Sequence, residues 1–147
     1  MKKALLQFCW DHVEVRSKRL KLSLEGLQES LDSETKSTAG DKHETGRAMV
    51  QLEQEKLAQQ VQELEQTRNI LKKIDIERKS NSIGLGSLVK TSLADYFIAI
   101  SAGTFRHEGG IVYCISAKAP IAQLLIGKSV GDNFMFNGKT NAILSFE

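Results

Sequence analysis

Cysteine and proline are almost missing from this chain, and so is any long apolar run. Cys9 and Cys114, the two cysteines present, are too few and too far apart in sequence to suggest the disulfide framework that staples small secreted domains. No stretch reaches the roughly 20 apolar residues that a membrane-spanning helix needs, and no signal-peptide core follows Met1-Lys2-Lys3. Neither sign of charge is in excess: 20 Lys and Arg stand against 18 Asp and Glu, so net charge names no partner. These absences lead to the expectation of a cytoplasmic chain with no membrane partner.

What is present falls into two regimes. Charged residues crowd into residues 1–80, and most of the glycines lie beyond them. From Arg47 to about Arg78 there is neither Gly nor Pro, and Val50, Leu57, Leu64 and Leu71 recur every seven residues, with Val61 and Ile74 in the same stripe. That spacing is a coiled-coil seam, interrupted by Gln54 and Arg68. An earlier segment supplies a partner, with Leu5, Phe8 or Cys9, Val13, Leu20, Leu24, Leu27 and Leu31 at helical spacings and Gly26 as a weak point. Only a short polar stretch separates the two, which predicts an antiparallel helical hairpin over residues 1–79 with its tip at about 34–46.

Residues 80–147 read as β-rich. "SLVKT", "DYFIAIS", "GIVYCIS", "NFMFN" and "NAILSF" are short runs of Val, Ile, Phe and Tyr bounded by Gly, Asn and Asp. Asn137-Gly138 is a hairpin-turn signal, and Pro120 and Gly127 punctuate one short helix, "PIAQLLIG". The fold class expected is α+β, a two-helix coiled-coil arm followed by a small antiparallel sheet with one covering helix. "KSNSIGLGS" reads as the linker and "SAGTFRHEGG" as a connection between strands.

Within the tip stretch "STAGDKHETG", Asp41 and Glu44 stand three residues apart where the helical pattern breaks. Two readings are open for this pair. A helix start favours Asp at the cap, Glu three residues on and negative charge at the positive end of the macrodipole. Two carboxylates at i and i+3 also point the same way on a helix and suit a hard divalent cation. Arg16, Lys18 and Arg19 form a basic run that either is a solvated face or touches RNA phosphates. Cys9 and His12 share a helix face, but structural zinc takes four ligands and no second pair is near in sequence. His43 and His107 read as solvated loop residues.

"ISAKAPIAQLLIGKSVGD", Ile115 to Asp132, resembles the C-terminal signature of the Gre family of bacterial transcript cleavage factors, in which Ile-Ser, a Pro-led helix, Leu-Ile-Gly-Lys and Gly-Asp follow in that order. Gly40-Asp41-x-x-Glu44 is similar to that family's arm tip, and the order of arm then β domain spans the whole chain. The resemblance implies an FK506-binding-protein-like C-terminal domain that docks on bacterial RNA polymerase, with Ser116, Lys118 and Asp132 as contact candidates. It also implies an arm inserted into the secondary channel towards the 3′ end of the nascent RNA. Asp41 and Glu44 would there help hold a Mg²⁺ ion shared with the polymerase, which cuts its own backtracked transcript. The chain is then expected to be a monomer, not an enzyme by itself, with no cofactor in isolation. It departs from the family pattern after the tip, where "TGRAMV" places Gly46 at a position usually filled by a side chain, and at Ala119. A channel-occupying antagonist without cleavage and a coiled-coil adaptor therefore stand as alternatives; a prolyl isomerase rests on fold analogy alone, and fold does not confer activity.

Overall fold

No proline interrupts the chain before Pro120, and the charged, leucine-punctuated half accordingly forms two long helices, α1 (Lys2–Thr35) and α2 (Gly40–Lys72). The computed structural model of the chain describes residues 1–35 and 40–147, with the side chains of 34–44 outside the description. By packing, the chain divides into two compact units: Val13–Arg68, and a second that joins Met1–His12 to Asn69–Glu147. The change of composition at residue 80 and this division by packing differ, because the first residues and the end of α2 pack with the β region.

In the Val13–Arg68 unit, α1 and α2 lie side by side and run antiparallel. Val13, Leu57 and Leu64 are buried in their seam, and Leu20, Leu27, Leu31, Val50, Gln54 and Val61 are half-buried along it. The seven-residue stripe of α2 is thus the packed face. Leu24, expected in the stripe of α1, is 38% exposed and sits at its margin, while Leu22, Met49 and Leu52 face outward. Arg68 stands in the seam with its guanidinium partly engaged. One Nη donates to Ser17 Oγ at 2.8 Å, the other lies 3.5 Å from Glu14 Oε1, and Nε approaches Glu65 Oε1 at 3.2 Å without aiming its hydrogen at that oxygen. Both carboxylates are more than half exposed, so each ion pair contributes only about 0–1 kcal/mol. The stem of Arg68 fills the interface.

The second unit is built on a six-stranded sheet in the order β3-β4-β2-β1-β6-β5. The strands are β1 (Leu88–Thr91), β2 (Asp95–Ala99), β3 (Gly103–His107), β4 (Gly110–Ser116), β5 (Asn133–Phe136) and β6 (Lys139–Phe146). Helix α3 (Pro120–Leu125) lies between β4 and β5 in the chain. On one sheet face Val89, Tyr96, Ile98, Phe134 and Ile143 form a core with Ile83 and with Ile121 and Leu125 of α3. On the other face the register sets Leu88 beside Phe97 and Phe97 beside Cys114. There the first turns of α1 cover the sheet: Leu5 and Cys9 are fully buried, and the Phe8 ring meets Phe105 edge-on at 5.4 Å. Strand β2 is covered on both sides, which is why "DYFIAIS" is a nearly continuous apolar run and does not alternate.

Two expectations are corrected. The sheet is not antiparallel throughout, since β2 and β4 run parallel, from Asp95 opposite Val112 to Ala99 opposite Ser116. The connection "SAGTFRHEGG" also contains a strand, β3, paired antiparallel with β4. Both follow from side-chain character: β4 is apolar enough to take the inner position beside β2, and half-polar β3 is left at the edge, so the chain passes over the place that β4 later fills. At the other end Asn137 (φ 54°) and Gly138 (φ 77°) close the β5–β6 hairpin between Phe136 and Lys139, two positive φ angles matching the right-handed strand twist.

Candidate docking segment and arm tip

The segment from Ser116 to Asp132 is fastened at both ends by its own polar groups. As β4 ends, Ser116 Oγ accepts a hydrogen bond from the Lys118 N–H at 3.1 Å, and the Ser116 carbonyl accepts from the Ala119 N–H at 3.0 Å. These turn the chain into α3, where Pro120 takes the first helical position and loses no hydrogen bond by lacking an N–H. The Ile126 N–H donates to the Ala122 carbonyl at 2.9 Å, and Gly127, at φ +86°, ends the helix in the left-handed conformation. The following turn closes when the Ser129 N–H donates to Asp132 Oδ2 at 2.9 Å and the Ile143 N–H to the Asp132 carbonyl at 2.9 Å.

The expected contact residues therefore divide by task. Ser116 and Asp132 hold the turns that frame α3, and Lys118 projects with an exposed side chain. Ile121 and Leu125 are in the core and Leu124 packs against it, as a short helix laid on a sheet must bury one face. The outward side of the segment then carries Lys118, Gln123, Ser129 and Asp132 around Ile126, 37% exposed, and Val130, 57% exposed.

"KSNSIGLGS", expected as a linker, is part of this frame. Ile83 is 2% exposed; its N–H donates to the Lys128 carbonyl at 3.0 Å and its carbonyl accepts from the Gly127 N–H at 2.8 Å. Ser129 Oγ donates to the Asn81 carbonyl at 3.3 Å. The run holds two large apolar residues, Ile83 and Leu85, and only Ile83 is buried, Leu85 being 42% exposed, so composition alone did not mark which one joins the core.

At the other candidate site, α2 opens at Gly40, which sets Asp41 and Glu44 in its first turns; their side chains lie outside the described residues. Among the described residues no group of three or more His, Cys, Asp or Glu could hold a metal ion. Of the basic run on α1, Lys18 and Arg19 are exposed and Arg16 is half-buried, so only the first two present a fully solvated cation. His107, read as a solvated loop residue, lies at the end of β3, half-buried, with its ring stacked on Phe105 at 6.0 Å.

The two cysteines that sequence separation kept apart are brought together. Cys9 of α1 and Cys114 of β4 are both buried and unbridged, and each thiol sets the acidity of the other. The neighbouring Cys114 thiol, with the Ile100 backbone, holds the Cys9 thiol below its ordinary range against the opposing effect of burial. Cys114, beside Cys9 and also buried, is pushed well above that range.

No family model matches this chain, and no curated protein matches it.

Proposed function

We propose that this chain is a Gre-like elongation factor that binds bacterial RNA polymerase through its C-terminal domain and enters the secondary channel with its helical arm, where it stimulates cleavage of backtracked RNA. The observation that carries this reading is the Ile115–Asp132 segment, in which the residues of the family-like signature are also those that fasten α3 and leave Lys118 and Asp132 outward. The helical hairpin preceding a small α/β unit supports it further.

The residues at the arm tip fit the metal that this role implies. Mg²⁺ prefers oxygen ligands and takes one or two carboxylates, with water and phosphate oxygens completing its octahedron. Asp41 and Glu44 supply two carboxylates three residues apart on α2, and side chains so spaced share one side of a helix. The ion, when bound in the polymerase, lowers the pKa of a coordinated water and screens developing charge. The task of this chain is to deliver the two carboxylates on a stiff support; free of polymerase, the pair lacks the remaining ligands and binds the ion weakly.

The test is transcript cleavage in a stalled, backtracked elongation complex, with Asp41→Asn and Glu44→Gln beside the parent chain. Both variants should compete for polymerase as the parent does and lose most of the stimulation, because Asn and Gln suit a helix start about as well as Asp and Glu but are poorer ligands. Full stimulation by both at limiting Mg²⁺ would remove the metal role. Tight binding by the parent with no stimulation would establish the channel-occupying antagonist, to which the Gly46 departure points; no binding to polymerase would leave the adaptor.

A further inference from the structure

Cys9 and Cys114 are 105 positions apart, yet their contact is fixed from several sides. Phe8, the neighbour of Cys9, packs on Phe105 of β3. Cys114 is paired in register with Gly103 of that strand. Phe97, on the other side of Cys114, is fully buried and completes the floor. Both cysteines are closed off in this enclosure, Cys9 at 0% and Cys114 at 3% exposure, and each thiol sets the acidity of the other.

We propose that Cys9 and Cys114 form a reversible dithiol–disulfide pair that, on oxidation by a peroxide, fastens the first turns of α1 to β4. The chemistry balances in two steps. Cys9 Sγ, as thiolate, attacks one peroxide oxygen; the O–O bond breaks, the other oxygen leaves as water after taking up a proton, and Cys9 becomes a sulfenic acid. The Cys114 thiol then attacks the Cys9 sulfur, the S–O bond breaks, and the hydroxyl leaves with the Cys114 proton as a second water. Two thiols and one hydrogen peroxide thus give one disulfide and two waters, and two equivalents of an external thiol reverse it. The thiolate is the nucleophile, and Cys9, the thiol held lower of the two, attacks first. Bond formation requires the two enclosed sulfurs to close to about 2.05 Å. Burial makes the first step slow, since peroxide reaches Cys9 only when α1 loosens, and makes the product resistant to bulky thiols. This proposal is independent of the polymerase reading.

The experiment uses the full native chain and hydrogen peroxide. Intact mass should fall by two mass units, and after alkylation of remaining thiols in denaturant, trypsin should release residues 4–16 joined to residues 107–118. Dithiothreitol should restore both thiols. The oxidised chain should melt higher than the reduced one, because the link closes a loop of about a hundred residues in the unfolded state, and the gain should vanish in Cys114→Ala. That variant should instead collect a sulfenic acid at Cys9, more slowly because the neighbour that lowers the Cys9 thiol is gone, trapped by a dimedone-type reagent. Intermolecular dimers, over-oxidised single cysteines without the joined peptides, unreacted thiols after prolonged exposure, or a disulfide that appears only in denaturant would each overturn the proposal.

Discussion

Gly84 and Gly86 stand two residues apart in the same loop, and alanine at the two positions should change stability in opposite directions. Gly86 has φ +88°, and a Cβ built on it would lie 3.1 Å from Ile74 Cγ2 and 3.9 Å from Ile74 Cβ and Cγ1. An L-residue in the left-handed region costs about 1–2 kcal/mol. The contact is closer than the optimal 3.5–4.0 Å or so between carbons, and moving Ile74 off its rotamer adds about 0.5–1 kcal/mol. The backbone has little room to relieve either, since the Gly86 N–H donates to the Ile98 carbonyl at 2.7 Å and the Ile98 N–H donates back to the Ser87 carbonyl at 3.0 Å. Gly86→Ala should therefore lose about 2 kcal/mol, a fall in melting temperature on the order of 10 °C for a unit of this size. At Gly84 an added methyl would meet nothing within 4 Å, and its φ is not positive, so Gly84→Ala should gain up to about 1 kcal/mol by restricting the unfolded chain. Trp10, the single tryptophan, belongs to the same compact unit, and its fluorescence during urea and thermal unfolding reports on it. In the background of Ile74→Ala the cost of Gly86→Ala should shrink by the contact share and keep the backbone share. Equal losses at the two glycines, or none at Gly86, would refute this account of the loop.

Two further outcomes follow from the β unit. Leu125 is fully buried and Leu124 half-buried, so Leu125→Ala should cost about 2–5 kcal/mol and Leu124→Ala clearly less; matched urea midpoints would mean that α3 does not bury a single face. Burial, and to a lesser degree the neighbouring Tyr113, raises the Tyr96 phenol above its ordinary 10.0. Below that pH folded and unfolded chains both hold the proton; above it the unfolded chain ionises first, so stability should fall as pH rises through 10 towards the higher folded value. Tyr96→Phe should flatten that alkaline fall, measured as the difference in melting temperature between about pH 9 and about pH 11; an unchanged fall would assign it to other groups.

The sequence by itself determined the elements whose signals are local. A seven-residue apolar period forces one helix face inward whatever its partner, and Leu57, Leu64 and Leu71 are buried as that period requires. Asn137-Gly138 and the Pro120 to Gly127 punctuation act through backbone φ angles, which belong to the residues themselves, and both turns form where these residues stand. Strand order was decided only in three dimensions, because β4 takes its place beside β2 by burying more apolar surface than β3 could, a comparison no single strand contains. Tertiary packing likewise turned Ile83 from a linker residue into a core residue and laid Cys9 against Cys114. Leu5, Phe8 and Cys9 have helical spacing that fits a coiled-coil partner and a sheet face equally well; only the exposed apolar surface of β2 and β4, assembled from residues some ninety positions away, made the sheet the better place to bury them.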